Sequence, residues 1–408
     1  MREAITVPML LVLALLSATS PVATGVYLPG LPSIASALGT SNIGVQLTLT
    51  TFMVGLGLGQ LLAGALSDSW GRRRLLLGGS VAFTVASAVC ALAPTIGVLT
   101  VARLIAGFSG GIGVVLARAV ISDRARGIEA ARLFSVMMII GGVAPVIAPV
   151  LGGMLLGPIG WRGTFWVLTA IGGIMTFGVA TAIPETLPPE TRHTGGLLVL
   201  GQNFRQVVGD RRFVGYAAAM AIGAGAMFSY IAASPFVVQK IFGFTPTQFS
   251  LVFAFNALSL VTAMTINSRL VSRISVRRLL IFGVGVVWVS GLGLLAVSLF
   301  SPTTPWPLLA LLLTMMFGMG LTMGNAVALA QDQVPSVAGT GSAVIGAAQF
   351  AVAAIVSPLV GLGGESTSVP MAVSIAVCGT IALTALLTLT RDRPETRLPG
   401  FRFQKNAL

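Results

Sequence analysis

Apolar stretches of similar length alternate with short polar or charged segments along nearly the whole chain. Each stretch approaches the roughly 20 residues that a helix needs to cross a bilayer. The pattern predicts an all-α membrane protein with twelve transmembrane helices. Their predicted limits are residues 6–28, 42–66, 73–93, 97–119, 132–155, 162–183, 213–235, 247–268, 277–299, 306–330, 339–362 and 369–390.

Composition supports a membrane protein and excludes several other classes. Of 408 residues, 55% are hydrophobic and 9% are charged, whereas about a quarter are charged in soluble domains. The basic residues punctuate apolar runs and form no continuous basic face, so we expect no nucleic-acid partner. Cys90 and Cys378 lie in apolar runs and are expected to be buried, without a disulfide framework.

The positions of the basic residues predict the orientation. Of the 24 Lys and Arg residues, 21 fall at the chain ends or in the loops that follow even-numbered spans. Only Arg162 and Lys240 fall on the other side, and Arg103 falls inside the fourth span. Because Lys and Arg accumulate in cytoplasmic loops, both termini are predicted to be cytoplasmic, in a multi-pass protein of a bacterial inner membrane.

The two halves of the chain repeat one another. Arg73 and Arg74 follow the second span, and Arg277 and Arg278 follow the eighth span 204 residues later. The predicted organisation has four parts: a six-helix bundle (1–183), a cytoplasmic linker with an amphipathic helix (184–212), a second bundle (213–390) and a cytoplasmic tail (391–408). Two pseudo-symmetric six-helix bundles of this kind form the major facilitator fold.

Two local motifs support that comparison. The segment 64–74 resembles the cytoplasmic-loop motif of the major facilitator superfamily, Gly-x-Leu-x-Asp-x-x-Gly-Arg-Arg; a plain basic loop is the alternative. The resemblance implies a cytoplasmic gate formed by Asp68, Gly71, Arg72, Arg73, Arg74 and Asp123.

The fifth span resembles the antiporter signature of exporters, and an ordinary kinked span is the alternative. The residues of that motif are Gly142, Pro145, Pro149, Gly152 and Gly153.

The fourth span carries an intramembrane charge. Arg103 precedes Gly107 as in the Arg-x-x-x-Gly motif of drug antiporters, although Ala106 stands where a Gln is usual. The resemblance implies that Arg103 handles protons or substrate. A buried Arg is expensive without a partner and marks a functional site by default. The alternative is a structural Arg that bonds to backbone carbonyls near the outer leaflet.

Further strings narrow the resemblance to one family. They occur in order along nearly the whole chain: Tyr-Leu-Pro-Gly-Leu-Pro from Tyr27, Gly-Trp-Arg from Gly160, Pro-Glu-Thr-Leu-Pro from Pro184 and Phe-Ser-Tyr-Ile-Ala-Ala-Ser-Pro-Phe from Phe228. Together they resemble the Bcr/CflA family of drug exporters in the major facilitator superfamily. The resemblance implies proton-coupled export of small drug-like molecules by alternating access.

One position departs from that family. Gly25 stands where the family usually carries an aspartate, two residues before Tyr27, that is interpreted as the proton site. By the predicted limits all eleven acidic residues lie in loops or at span ends. Three explanations stay open: a chain altered and impaired at residue 25, coupling through Asp68, Asp123 or another marginal acid, and an uncoupled or anion-preferring carrier in which Arg103 meets a substrate anion.

Polar and aromatic side chains within the spans are the candidates for a substrate path. They are Tyr27, Gln46, Gln60, Arg103, Met227, Tyr230, Phe236, Phe253, Asn256, Asn325 and Gln349. Amides in membranes also serve as interhelical hydrogen bonds, which is the alternative for each Gln and Asn. We expect a working monomer without cofactor or metal, whose partners are a small drug-like molecule, the lipid bilayer and, if coupled, protons.

Other classes of function fit less well. No P-loop is present, which excludes an ATP-driven pump. The single histidine lies in the linker, and the predicted spans hold no cluster that an enzyme would need. A channel and an importer on the same fold remain as alternatives to an exporter.

Overall fold

The computed structural model describes residues 5–125, 127–187, 204–300, 304–363 and 367–390, and in these ranges the regular structure is helical. The main helices are α1 (Val7–Gly25), α2 (Leu31–Ala37), α3 (Asn42–Trp70), α4 (Arg72–Leu92), α5 (Ile96–Arg124), α6 (Gly127–Ala182), α7 (Arg211–Phe236), α8 (Pro246–Leu270), α9 (Val276–Phe300), α10 (Pro305–Gln333), α11 (Ala338–Leu359) and α12 (Val369–Leu389).

Polar side chains mark where several of these helices begin. Thr6, Ser41, Thr95 and Asp210 each accept a hydrogen bond from a backbone N–H of the first turn. Thr245 does the same before α8 in a full capping box. Such caps satisfy N–H groups that have no partner within the helix, so the apolar runs start at defined residues.

Eleven segments of the described chain are long and apolar enough to cross a membrane. The sequence predicts twelve, and the difference lies in α6. Its apolar part, Val143–Ala182, has 40 residues, about 60 Å of helix at 1.5 Å per residue, twice the thickness of the hydrocarbon core. Gly160 interrupts it with φ 64° and ψ −179°, a conformation that favours glycine. The predicted fifth and sixth spans end and begin on either side of Gly160.

The helices pack mainly within two sets. In the first set α3 contacts α5, while α4 and α1 contact α6; in the second α7 contacts α12, and α9 contacts α10 and α12. The main helix pairs that join the sets are α3 with α11 and α6 with α8. The predicted linker helix lies largely outside the described residues, although 204–209 are helical.

Glycines bring α3 and α5 into backbone contact. Gly55 and Gly59 on α3 face Gly107 and Gly111 on α5, and a Cβ at any of the four would overlap backbone atoms of the other helix. At Gly107 that Cβ would lie 2.8 Å from the carbonyl carbon of Phe52. Small residues at such spacing let membrane helices approach closely. The contact fixes how α5 lies against α3.

We therefore expect Gly107→Ala to reduce the folded protein sharply, because the added methyl group must push two backbones apart. Overpacking a tight contact typically costs about 1–3 kcal/mol. The measurement is the unfolding temperature of the detergent-solubilised protein, with the yield of its monodisperse fraction. Gly78→Ala on α4 is the control, since a Cβ there meets nothing within 4 Å. Equal stability of the two variants would contradict the packing argument.

Candidate transport site

Arg103 lies inside the first set of helices, surrounded by aromatic rings. Its side chain is 1% exposed, and it is the one charged side chain among the buried residues that the structure describes. The guanidinium carbon lies 4.0 Å from the ring centre of Phe52 and 4.5 Å from that of Tyr27. A third ring, that of Phe165, is 6.0 Å away. These faces offer cation–π attraction, which is strongest where water is excluded.

The hydrogen bonds of Arg103 are incomplete. Its Nη1 donates to the backbone oxygen of Ala23 at 3.3 Å. Its Nε and Nη2 have no hydrogen-bond partner among the described atoms. Within the part of the chain that the structure describes, Arg103 thus has one carbonyl bond and no carboxylate partner.

Tyr27 links α1 to α3 beside this charge. Its hydroxyl and that of Thr48 are hydrogen-bonded, and Thr48 itself donates to the Val45 carbonyl at 2.6 Å. The Tyr27 hydroxyl is therefore the donor to Thr48. Its ring is also 5.4 Å from that of Phe165. Tyr27 is thus held on both sides, which fixes the ring that covers Arg103.

A second cluster occupies the second set of helices. The Tyr230 ring stacks on Phe253, with centres 5.4 Å apart and planes 16° apart. The Asn256 amide donates to the Tyr230 hydroxyl at 3.0 Å, and its own oxygen has no partner among the described atoms. Tyr230 follows Tyr27 by 203 residues, and Asn256 follows Phe52 by 204. The spacing of the two tyrosines is thus within one residue of the 204-residue repeat.

Among the described residues, three hydrogen bonds join the two sets of helices. Gln46 donates to the Ala232 carbonyl at 3.2 Å, and Gln239 donates to that of Pro29 at 3.1 Å. Thr247 donates to the Gly153 carbonyl at 3.5 Å. All three lie at ends of helices that the charge pattern predicts to face outward. Gln46 and Phe236 also line one small cleft between α3 and α7.

The remaining predicted path residues have other surroundings. Asn325 exchanges hydrogen bonds with Asn267 at 2.7 and 3.1 Å, so this amide joins α8 to α10, as the interhelical alternative supposes. Gln60 on α3 lies near Gly346 on α11. Met227 and Gln349 are half-buried. The structure places none of these four in the two aromatic clusters.

Gly25 packs against α6. A Cβ at this position would lie 2.7 Å from that of Ala148 and 2.9 Å from Cδ of Pro149. Gly152 meets the backbone of Val26 in the same way, with 2.8 Å from a Cβ to the carbonyl carbon. These residues of the antiporter-like motif therefore form the surface that receives the end of α1. An aspartate at residue 25 needs space that this contact does not provide.

The rest of that motif has different contacts. A Cβ at Gly153 would lie 2.8 Å from the carbonyl oxygen of Pro246 on α8, so Gly153 lies where the two sets of helices meet. Pro145 is half-buried. The surroundings of Gly142 lie outside the part that the structure describes, so its role in the motif remains a prediction.

A polar cluster lies at the predicted cytoplasmic end of α3, α4 and α5. Arg72 Nε is 3.4 Å from Asp123 Oδ2, and its guanidinium also bonds to Ser67. The Glu185 carboxylate accepts from the backbone N–H of Arg72 at 2.9 Å, at the start of α4, where a helix dipole favours negative charge. Thr186 donates to Asp123 at 2.9 Å. The cluster ties the segment after α6 to three helix ends.

Other predicted gate residues surround this cluster. Gly71 has φ 90° and forms the turn between α3 and α4. The Arg73 guanidinium donates to the carbonyls of Ile183 and Ala180 at 2.9 and 2.8 Å, and Arg74 is exposed. The side chain of Asp68 lies outside the part that the structure describes, so its predicted contacts remain a prediction.

Several contributing residues were not singled out from the sequence. Phe52 and Phe165 cover Arg103, Thr48 holds Tyr27, and Glu185 caps α4. Phe52 carried a usable signal, because it and Gly55 flank a glycine-rich face of α3. Glu185 carried one too, because this acid follows the sixth span on the side of the membrane where Arg72, Arg73 and Arg74 are predicted to lie.

Comparison with known proteins agrees with this architecture. A sequence model of the Major Facilitator Superfamily matches residues 13–358. The MFS-type transporter YdgK of Bacillus subtilis is 35% identical, over 93% of this chain and 95% of its own. A bicyclomycin resistance protein homolog of Haemophilus influenzae is 29% identical, over 95% and 97%. A chloramphenicol resistance protein of Pseudomonas aeruginosa is 31% identical, over 78% and 75%.

Solved structures share the fold. The Escherichia coli xylose transporter XylE, in a partially occluded inward-open conformation, superposes with a TM-score of 0.72 at 16% identity, over 95% of this chain and 98% of XylE. A mutant of the nucleoside transporter NupG superposes with a TM-score of 0.74 at 15% identity, over 93% of this chain and 98% of NupG.

The packing of residue 25 gives a direct prediction. We expect Gly25→Asp to lower the unfolding temperature and to fail to improve transport, because its Cβ overlaps Ala148 and Pro149. Gly25→Ala should show part of the same loss. Gly173→Ala on α6 is the control, since a Cβ there meets nothing within 4 Å. A Gly25→Asp protein with wild-type stability and increased export would show that the site accepts a carboxylate.

Proposed function

The chain belongs to the Major Facilitator Superfamily, and from this we propose that it is a secondary-active exporter of small drug-like molecules. Its relatives include proteins named for resistance to bicyclomycin and chloramphenicol and for multidrug resistance. It is a multi-pass membrane transporter and not an enzyme. We further propose that it acts as a monomer in a bacterial inner membrane, with both termini in the cytoplasm.

The proposal includes twelve spans in two six-helix bundles, residues 1–183 and 213–390, joined by the linker 184–212. The length of α6 and its break at Gly160 support two spans in place of one. The concentration of helix contacts within each set supports two bundles. Transport then occurs by alternating access, in which the bundles rock around a site between them.

The observation that carries this mechanism is the position of the polar contacts between the sets. Gln46, Gln239 and Thr247 all make them at the predicted outer ends. Each is one hydrogen bond between a neutral side chain and a backbone carbonyl, worth about 1 kcal/mol. A few such bonds can close the outer side and still break in each cycle.

The cytoplasmic cluster has a complementary part in the proposal. Arg72, Asp123 and Glu185 join the ends of α3, α4 and α5 to the segment after α6. These contacts lie within the first bundle, so they keep its cytoplasmic ends together while the bundle moves as one body. The gate role of Asp68 in the proposal rests on the motif alone.

Of the explanations for Gly25, its packing favours those in which glycine is required at this position. A carrier altered from aspartate would leave space beside residue 25, whereas a Cβ here would overlap α6. We therefore propose that transport does not use a proton carried at residue 25. Coupling through a marginal acid and an uncoupled or anion-preferring carrier are the two alternatives that follow.

Drug accumulation in an efflux-deficient bacterium tests the export proposal. Cells expressing the chain should accumulate less of at least one compound from a panel with amphenicols and bicyclomycin, and should resist it. The empty vector and a poorly folded variant such as Gly107→Ala are the controls. Accumulation above the vector control would instead identify an importer, and unsaturable flux would identify a channel.

Closure of the outer side makes a sharper prediction. We expect Gly153→Ala to lower export several-fold at equal expression, because its Cβ would lie 2.8 Å from the Pro246 carbonyl oxygen on the opposite bundle. The measurement is the initial efflux rate of a preloaded substrate, normalised to membrane protein. Gly157→Ala, one turn along α6, is the control because a Cβ there meets nothing within 4 Å. Equal rates would exclude a closed contact at Gly153 from the cycle.

A further inference from the structure

One edge of the buried Arg103 guanidinium has no hydrogen-bond partner among the described atoms, while the rest of the group is hydrogen-bonded or covered by rings. Phe52 and Tyr27 lie over its carbon at 4.0 and 4.5 Å, and Nη1 donates to the Ala23 carbonyl. Nε and Nη2 have no partner among the described atoms. These two nitrogens share an edge on which two N–H bonds point the same way. Such an edge fits the two oxygens of one carboxylate.

The chain itself does not supply that carboxylate in the part that the structure describes. Asp123 and Glu185 are half-buried at the far, cytoplasmic end of the bundle, where both are bonded. Asp210 caps α7 in the other half. A Cβ at residue 25 would meet Ala148 and Pro149 on α6. Asp332 is exposed at the end of α10. Among the described residues, the positive charge is therefore left without an opposite charge beside it.

We propose that this edge of Arg103 binds the carboxylate of the transported molecule, so that the substrates include small aromatic or amphipathic carboxylic acids. The inference rests on the proposed transport function and names its substrate class. A carboxylate would satisfy both free donors and neutralise the charge in a site that excludes water, where paired charges interact strongly. The rings of Phe52, Tyr27 and Phe165 supply apolar surface for the body of the molecule.

The position of Tyr27 gives the site a route to the outer contact. The turn Leu28–Gly30 follows Tyr27 directly and packs against α7, and Pro29 accepts the hydrogen bond from Gln239 of the other half. Separation of the halves at this contact would uncover the segment that carries Tyr27, whose ring covers one face of the Arg103 guanidinium. The charge is enclosed while the contact is closed.

A matched pair of ligands tests the inference on purified protein in lipid nanodiscs. Salicylate and salicylamide share one ring and hydroxyl, but only salicylate carries a charge at neutral pH. Binding is measured by titration of the tryptophan fluorescence, to which Trp161 contributes beside Phe165, and by the shift of the unfolding temperature. We expect salicylate to bind at least about tenfold more tightly, the factor given by a charged hydrogen bond.

Two variants separate the free edge from charge alone. Arg103→Lys keeps the positive charge but lacks the paired donors, so the preference for salicylate should fall several-fold without being lost. Arg103→Gln should abolish it. Arg162→Lys is the control, because Arg162 is exposed and lies over Trp161 at 4.1 Å. Its preference should equal that of the wild type.

Equal binding of the two ligands, no binding of salicylate, or an unchanged preference in Arg103→Lys would each overturn the inference. The accumulation assay with neutral drugs keeps this result apart from the export proposal. If the cells export a neutral drug but the protein shows no preference for salicylate, the export proposal is supported and the carboxylate site is refuted. Salicylate preference that depends on Arg103, without export of any compound, would support the site and refute export.

Discussion

The backbone contact between α3 and α5 controls the rest of the first bundle. Within lipid, apolar side chains gain little by leaving their surroundings, so helices associate through close packing. Gly107 allows α5 to touch the carbonyl group of Phe52. Arg103 lies one helical turn before Gly107 on the same face of α5, which places its guanidinium over the Phe52 ring. A helix-packing requirement thus sets the geometry of the candidate site.

Aromatic rings and one carbonyl stabilise the charge of Arg103, but its Nε and Nη2 have no hydrogen-bond acceptor among the described atoms. The ring faces of Phe52 and Tyr27 offset part of the desolvation cost, at about 2 kcal/mol for a desolvated cation–π contact. The Ala23 carbonyl satisfies one donor. Neither can satisfy Nε and Nη2, because their N–H bonds lie in the guanidinium plane and a ring above that plane cannot accept hydrogen bonds directed along it. Each such buried donor costs about 1–3 kcal/mol or more, so a ligand that bonds to both gains affinity at this edge.

Features that depend on the order of apolar and charged residues along the chain could be predicted from the sequence. Hydropathy located the apolar helices, and α6 is interrupted at Gly160, which lies between the predicted fifth and sixth spans. Arg103 stood out because a charge within an apolar run is rare. Phe52 and Phe165 could not be chosen from many similar residues, since their contact with Arg103 depends on how α3, α5 and α6 meet.

Gly25 shows a different limit of sequence reasoning. Against the family pattern it is a missing carboxylate, and only the distance to Pro149 shows that it is also a packing position. Glu185 lay in an interval that was interpreted as linker, because its acceptor role depends on the distant start of α4. Both residues have roles set by a partner more than 100 positions away, beyond any local pattern.

The internal repeat duplicates the scaffold more faithfully than the chemistry. Tyr27 and Tyr230 lie within one residue of the repeat spacing, and each is hydrogen-bonded to the next long helix of its own half. Beside Tyr27 lies a cation with two free donors, whereas beside Tyr230 lies Asn256 with a free oxygen acceptor. The first cluster therefore presents unpaired donors, whereas the second presents an unpaired acceptor. The carboxylate that we propose as a ligand suits only the first, so the chemistry of the two halves differs although their helices follow the same repeat.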